Sequence, residues 1–272
     1  MATLVVGTGF LGEALCDELH KRGEVVVSTY YSHQKYDDSI RYDFLHDDPK
    51  DMFAGENITT VIIPAKIEFT EDGVALGQAM ERFLAYFSET RMVYISSDGI
   101  FDGTKGMYTE SDTPHPTTLY GRNLALCEDL VKKNTQNYCI VRPSYMYGFV
   151  GGKLDTRLSE ARTQLLEGKN VTRFTDMYKS PLSYRQAAES IVMLAFGEFV
   201  GTIHISGQRM SVYDFTREGM EALGVPTKNL HGASMPVPLP ESMLADTSLD
   251  TSLMQTLIHY VPLSIQESLR YK

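Results

Sequence analysis

The chain has 272 residues, of which 43% are hydrophobic and 22% charged, and its formal net charge is −10. This composition is typical of a globular protein with one large core, or with a core domain and a smaller lobe. The acidic balance, without any Lys/Arg-rich run, argues against a nucleic-acid-binding surface. No apolar run approaches the ~18 residues of a membrane span, and the chain opens on an apolar strand without a charged leader. We therefore expect a cytoplasmic protein that does not enter a membrane. Its cysteines, which lack paired spacing, should be reduced thiols.

The first half of the chain alternates short apolar runs with amphipathic segments. We predict strands over residues 3–6, 24–29, 40–44, 60–63, 92–95 and 138–142. Helices are predicted over residues 11–22, 74–87 and 119–133, because apolar side chains recur there at helical spacing. Strands that alternate with helices indicate βαβ units, and hence a parallel sheet with right-handed crossovers.

The second half is less regular, and no repeat or linker divides it from the first. We predict helices over residues 154–166, 184–196 and 212–223, and a last strand over 202–206. The expected fold class is α/β: a Rossmann-type doubly wound parallel sheet with a small interleaved C-terminal substrate lobe. The dinucleotide-binding domain would span residues 1–150 and be completed by about 176–206. The lobe would take residues 151–175 and 207–272.

Gly7, Gly9 and Gly12 fit the pattern G-x-G-x-x-G, directly after a strand and at the start of a helix. In this context the first glycine allows a tight turn, the second lets a diphosphate approach the backbone, and the third lets the helix pack closely on the strand. The phosphates would lie at the positive end of the helix dipole, against backbone amides of residues 7–12 that include Phe10 and Leu11.

The residues that close the second strand indicate which dinucleotide binds. Residues 28–35 contain no carboxylate of the kind that holds the adenine ribose of NAD. Tyr30 closes the strand, and Ser32, His33 and Lys35 could meet a 2′-phosphate, so we favour NADP over NAD; a solvated loop that ignores the ribose is the alternative. Asp43, at the end of the third strand, could accept from the adenine amino group or cap the following helix.

Several stretches resemble a known family. Residues 94–103 (YISSDGIFDG) are similar to its S-T-D-Y-V-F-D-G stretch, and residues 108–116 (YTESDTPHP) to its Y-x-E-x-D-x-P-x-P. Tyr120-Gly121 matches the start of Y-G-x-x-K, and Arg142-Pro143 and Tyr147-Gly148 match the segment after the sixth strand. Residues 176–183 (DMYKSPLS) and 246–249 are similar to its late motifs. The chain thus resembles the extended short-chain dehydrogenases and, among them, the dTDP-4-dehydrorhamnose reductase family, over nearly its whole length.

The resemblance implies hydride transfer between NAD(P) and a small-molecule sugar nucleotide. Tyr120 would be the acid/base, and Ser97 would polarise the substrate oxygen. The cofactor site of this topology opens at the carboxyl ends of the strands, where Ala65, Lys66 and Pro143 lie, so we expect these residues and Tyr120 to contact the cofactor. A solvated loop lysine is the alternative for Lys66. We expect the substrate pocket to be lined by Asp98, Phe101, Tyr145 and Tyr178, with a place in the core as the alternative for such aromatic residues.

The sequence departs from the family pattern at three positions. Leu124 stands where the family has the lysine that lowers the pKa of the tyrosine and bonds the nicotinamide ribose. Gly99 replaces a tyrosine, which should remove a ring from the substrate side of the pocket. Val6 stands where the first glycine of the longer family loop would be, so the detailed pose of the cofactor is open.

Two functions therefore remain open. One is an NAD(P)-dependent reductase with a substitute for the missing lysine, or with a reduced rate. The other is a catalytically degenerate NAD(P)-binding regulatory subunit similar to the β subunit of methionine adenosyltransferase, which needs no lysine at position 124. We expect no metal site, because the seven histidines are scattered without ligand spacing. A homodimer is expected from the resemblance alone.

Overall fold

The computed structural model describes residues 1–240 and 243–270. In chain order the strands are β1 (Ala2–Val5), β2 (Val26–Tyr30), β3 (Ile40–Arg41), β4 (Ile58–Ile63), β5 (Arg91–Ile95), β6 (Tyr138–Pro143), β7 (Met146–Tyr147), β8 (Phe149–Val150), β9 (Lys153–Leu154), β10 (Val171–Phe174), β11 (Tyr178–Lys179), β12 (Leu182–Ser183), β13 (Gly201–Ile205), β14 (Met210–Ser211) and β15 (Leu230–Ala233). The helices are α1 (Phe10–Lys21), α2 (Pro49–Met52), α3 (Gly73–Tyr86), α4 (Leu119–Asn134), α5 (Thr156–Leu166), α6 (Tyr184–Ala195), α7 (Val212–Ala222), α8 (Ser252–Ile258) and α9 (Ile265–Ser268).

The central sheet has seven parallel strands in the order β13-β6-β5-β4-β1-β2-β3. Strand β1 lies between β2 and β4, with Leu4 paired to Val27 on one side and to Val61 on the other. The strand order therefore reverses at β1, and the carboxyl ends of β1 and β4 flank the point where α/β sheets bind their ligands. The structure confirms the predicted Rossmann-type α/β fold.

Helices cover both faces of this sheet. Helix α1 packs against α6 on one face, and α3 packs against α4 on the other. The two apolar layers meet strands that are buried on both sides, which explains their nearly continuous apolar runs. None of the helices in the described part of the chain is both long and apolar enough to cross a membrane.

A third apolar cluster lies away from the sheet. It joins α5, α7 and α9 to the parallel pair β10–β15, with Leu158, Phe215 and Met220 at its centre. The chain returns from this region to the main sheet through α6 and β13, so the two parts are interleaved. The division into domains drawn from the sequence stays a prediction, and four positions of the predicted lobe (241, 242, 271 and 272) lie outside the described residues.

Two differences from the predicted elements have identifiable reasons. Strand β3 ends at Arg41, because the carboxylate of Asp43 accepts the amide of Leu45 and closes a turn. Helix α2 was not predicted; it begins at a proline and is capped by the carboxylate of Asp48, which accepts the amide of Lys50.

Candidate functional site

The turn between β1 and α1 requires glycine at two positions. Gly7 has φ +91°, and a Cβ added there would lie 3.0 Å from the Cβ of Ala65. A Cβ on Gly12 would lie 2.0 Å from the carbonyl oxygen of Gly7, so the helix crosses the turn at backbone contact. The amide of Gly7 is held by the hydroxyl of Thr29 at 2.9 Å. These contacts fix the start of α1 at the carboxyl edge of the sheet.

Gly9 has a different role, because nothing lies within 4 Å of a Cβ added to it. It is the N-cap of α1, without a side-chain cap, and its carbonyl accepts the first helical bond from Glu13. Within residues 1–240 and 243–270, the amides of Phe10, Leu11 and Gly12 have no protein acceptor. Unpaired amides at the positive end of a helix, next to open space, fit the diphosphate of a dinucleotide.

The segment after β2 is exposed and polar. Ser32 Oγ lies 2.8 Å from His33 Nδ1, whereas Lys35 forms an ion pair with Glu13 at 2.8 Å. That ion pair draws Lys35 to the first turn of α1 and leaves Ser32 and His33 exposed beside the half-buried Tyr30.

Arg41, which was not among the cofactor-binding residues predicted from the sequence, lies in the same region. It ends β3, and its guanidinium carbon lies 5.8 Å from the centroid of the Tyr31 ring. Its signal in the sequence was a basic residue within the predicted third strand. Asp43, by contrast, directs its carboxylate to the amide of Leu45 (3.1 Å) and the ring of His46 (3.0 Å). This carboxylate is satisfied within its own turn, and its predicted contact with adenine stays a prediction.

Ser97 and Tyr120 meet at the carboxyl end of β5. Ser97 follows this strand, and Tyr120 lies in the first turn of α4, where the hydroxyl of Thr118 accepts the amide of Gly121. The Tyr120 ring and the Ser97 hydroxyl both border Gly99. Burial and the charge of Glu68 raise the pKa of Tyr120 well above its usual value, and the nearby Ser97 side chain opposes that shift. The structure thus brings together the two residues predicted to act on a carbonyl.

Gly99 is the reason the Tyr120 ring fits. A Cβ at Gly99 would lie 3.1 Å from Cε1 of Tyr120 and 3.7 Å from Oγ of Ser97. The space that we expected glycine to open toward the substrate is therefore filled by the ring of Tyr120. Phe69 stacks on this ring, with centroids 4.4 Å apart.

The position of the missing lysine is closed. Leu124 is buried in the apolar layer between α4 and the sheet. Nearby, the buried carboxyl of Glu68 accepts the hydroxyl of Tyr94, and burial raises the pKa of Glu68 to about 7. The ammonium of Lys66 lies 5.9 Å from the centroid of the Phe69 ring, which stacks on Tyr120, and the predicted contact of Lys66 with the cofactor stays a prediction. Sequence reasoning missed Glu68, whose only signal was an acid five residues after a buried strand.

The residues expected to line the substrate pocket separate into two groups. Phe101 is fully buried and stacked on Tyr108 with centroids 4.1 Å apart, which is the place in the core that was the alternative for such aromatic residues. Asp98 is also buried, among the hydroxyls of Ser97, Ser144 and Thr247. Tyr145 and Tyr178 are half-buried on the lobe side, under the guanidinium groups of Arg157 and Arg209 respectively.

Pro143, a predicted cofactor contact, is buried at the end of β6. No group of metal-ligating side chains occurs among the residues described.

A doubly wound sheet with an open glycine turn, and a Ser–Tyr pair at the end of β5, is the architecture of an extended short-chain dehydrogenase. Within this class the chain belongs to the RmlD family, because residues 1–271 match the family's sequence model, described as RmlD substrate binding domain. This match confirms the resemblance seen in the motifs.

Relatives and solved structures support this assignment. The chain is 30% identical over 235 residues to the spore coat polysaccharide biosynthesis protein SpsK of Bacillus subtilis, covering 82% of this chain and 80% of that protein. It superposes with a TM-score of 0.83 and 26% identity on a hypothetical dTDP-4-dehydrorhamnose reductase from Sulfolobus tokodaii, covering 97% and 98% of the two chains. The same fold, with a TM-score of 0.82 and 18% identity, occurs in the dTDP-4-dehydrorhamnose reductase of Bacillus anthracis, solved in complex with NADP and covering 99% and 98% of the chains.

A further relative has a different role. The β subunit of methionine adenosyltransferase 2 from Rattus norvegicus is 28% identical over 174 residues. The match covers 61% of this chain but about half of that protein's length (52%).

Proposed function

We propose that this protein is an NAD(P)-dependent reductase that acts on a nucleotide-activated sugar. The observation that carries the proposal is the proximity of Tyr120 and Ser97, which both border Gly99 at the carboxyl end of β5, in a fold whose glycine turn is open to a dinucleotide. Family membership adds the substrate class, since the solved relatives are named as reductases of a dTDP-linked sugar. We favour NADP, because the exposed polar groups after β2 are Ser32 and His33 rather than a carboxylate.

The chain's own residues have defined tasks in such a reaction. The bound dinucleotide supplies the hydride. Backbone amides of Phe10, Leu11 and Gly12 hold its diphosphate, and Tyr120 donates the phenolic proton to the carbonyl oxygen of the sugar. The loss of this proton is difficult near neutral pH, since burial raises the pKa of Tyr120. A neighbouring group must therefore stabilise the phenolate as it forms.

The proposal is tested by mixing the purified protein with NADPH and a panel of 4-keto sugar nucleotides and following NADPH oxidation. We expect turnover by the native protein and its loss in Tyr120→Phe, by ~10² to 10⁴ as is usual for a general acid. Tyr86→Phe, which alters an exposed tyrosine at the end of α3, is the matched control and should keep the native rate.

A regulatory subunit is the second candidate, favoured by the buried Leu124 and by the match to the methionine adenosyltransferase β subunit. A regulatory subunit should bind NADPH without turning over any sugar nucleotide of the panel. It should also form a complex with a methionine adenosyltransferase catalytic subunit on size-exclusion chromatography. Native turnover that depends on Tyr120 would exclude it as the sole function.

A further inference from the structure

The carboxylate of Asp98 joins four parts of the chain beside Ser97. Its Oδ1 accepts the hydroxyl of Ser97 at 2.9 Å. Its Oδ2 accepts the hydroxyls of Ser144 (3.0 Å) and Thr247 (2.5 Å) and lies 3.4 Å from the ammonium of Lys179. Lys179 and Thr247 are 81 and 149 residues away in sequence, and both reach Asp98 from beyond the Rossmann strands β1–β6.

This carboxylate is ionised at neutral pH although it is buried. Burial would raise the pKa of Asp98, but the charge of Lys179 and the hydrogen bonds from Thr247, Ser97 and Ser144 lower it below its usual value. A buried carboxylate is tolerated when it is paired and hydrogen-bonded in this way. Lys179 in turn donates to Thr247 at 2.5 Å, so the ammonium is held in place.

An ionised carboxylate only accepts hydrogen bonds, and a serine hydroxyl has a single proton to donate. Because the Ser97 proton is directed to Asp98, the oxygen of Ser97 offers only lone pairs to its other neighbours. It accepts the amide of Gly99 at 3.2 Å. The nearby Ser97 side chain lowers the pKa of Tyr120, which is the effect of a hydroxyl that can donate to the phenolate.

We propose that Lys179 and Asp98 are positioning residues for Ser97, and that they allow its hydroxyl to turn from Asp98 to the Tyr120 phenolate during the reaction. When Tyr120 gives its proton to the substrate oxygen, the phenolate becomes a far stronger base than the carboxylate, with ordinary pKa values of about 10 and about 4. The Ser97 proton then points to the phenolate, and its covalent bond to the Ser97 oxygen stays intact. Asp98 loses its hydrogen bond from Ser97 but keeps its bonds to Ser144, Thr247 and Lys179, so the carboxylate remains stabilised. This rearrangement stabilises the phenolate without a lysine at position 124, and it rests on the reductase function proposed above.

The test compares Lys179→Met, Lys179→Arg and Thr247→Val with the native protein in pH profiles of kcat and KM for NADPH oxidation. We expect Lys179→Met to lower kcat on the order of 10-fold, less than the loss of the acid itself, with a smaller change in KM. Its acid limb should move to higher pH, because Asp98 without the ammonium is protonated more readily and a neutral acid holds Ser97 less firmly. Lys179→Arg should restore most of kcat and return the acid limb. Thr247→Val, which leaves the charge pair intact, should show a smaller effect in the same direction.

Lys169→Met is the control, since Lys169 is an exposed lysine paired with Glu167 on the surface. NADPH binding, followed by fluorescence, should be the same in all variants. A fall in kcat that is equal at every pH and is not restored by Lys179→Arg would overturn the proposal, since it would mean that Lys179 only ties the lobe to the sheet. Native-like kcat and pH profiles in Lys179→Met and Thr247→Val would also overturn it. Absence of turnover by the native protein would instead overturn the reductase function, and this inference with it.

Discussion

The ring of Tyr120 lies against the backbone of Gly99, so that a single methyl group at position 99 would come within 3.1 Å of the ring. The glycine is therefore part of the way in which this chain seats its acid. One face of the ring is covered by Phe69, at a centroid distance of 4.4 Å. Tyr120 is therefore held by the backbone of Gly99 at its ring edge and by the aromatic ring stacked on it.

Replacing Gly99 by alanine should disturb catalysis more than folding. The added methyl group requires the Tyr120 ring to shift by a few tenths of an ångström, which moves the phenol relative to Ser97. We expect kcat to fall ~10-fold, while the free energy of unfolding in urea changes by less than about 1 kcal/mol. Gly77→Ala is the control, because its methyl would meet only ordinary contacts at 3.7 Å. An unchanged kcat would show that the ring has room to adjust.

Replacement by alanine at two glycines of the α1 turn should affect different properties, stability at Gly12 and NADPH affinity at Gly9. Gly12→Ala places a methyl group 2.0 Å from the carbonyl oxygen of Gly7, so we expect a loss of stability of about 1–3 kcal/mol from overpacking. Gly9→Ala meets nothing within 4 Å, so the fold should tolerate it, but the methyl group occupies the space of the diphosphate. We expect NADPH to bind about 10-fold more weakly to Gly9→Ala, a change of ~1.4 kcal/mol. Thermal unfolding and fluorescence titration measure the two effects, and equal NADPH affinity in Gly9→Ala would place the diphosphate elsewhere.

The sequence predicted the parts of this molecule that depend on local pattern. The glycine turn follows from a motif at a strand end, whereas Ser97, after β5, and Tyr120, in the first turn of α4, were singled out by the resemblance to a family. Strand β3 was predicted too long, because the apolar Phe44 continues the pattern after the Asp43 turn has already ended the strand.

Contacts between distant segments could not be predicted in this way. Lys179 reaches Asp98 across 81 residues, and no periodicity relates the two positions. Phe101 matches a family motif, but a motif does not say whether a side chain faces the pocket or the core, and here its ring is stacked on Tyr108 in the core.

Glu68 should make the protein less stable as the pH rises from about 4.5 to 7. Burial raises the pKa of Glu68 from 4.5 to about 7, so in this window the folded protein holds a proton that the unfolded chain has lost. The free energy of unfolding therefore falls with pH across the window and levels off above it, by up to about 3 kcal/mol from this group. Glu68→Gln should lack this component, which urea unfolding at several pH values measures as the difference from the native protein. Glu167→Gln, an exposed glutamate, should follow the native curve. Parallel curves for the native protein and Glu68→Gln would contradict the assignment.

Restoring the family lysine should reveal how closely Glu68 faces position 124. Glu68 acts electrostatically on both Tyr120 and Cys127, and Leu124 lies between them on the same face of α4. In Leu124→Lys we expect the new ammonium to pair with ionised Glu68, so that the variant folds with a stability loss of about 2–4 kcal/mol. The double variant with Glu68→Gln leaves that ammonium buried without a partner, and should lose more stability than the sum of the two single changes.

Urea unfolding at pH 8, where Glu68 is ionised, measures this coupling, and Leu124→Met controls for the loss of the leucine shape. Additive effects of the two changes would show that Glu68 does not face position 124. The NADPH oxidation rate of Leu124→Lys adds a second reading. If the Ser97 hydroxyl already stabilises the phenolate, the added lysine should raise kcat far less than the ~10² expected where a site has no substitute for its missing charge.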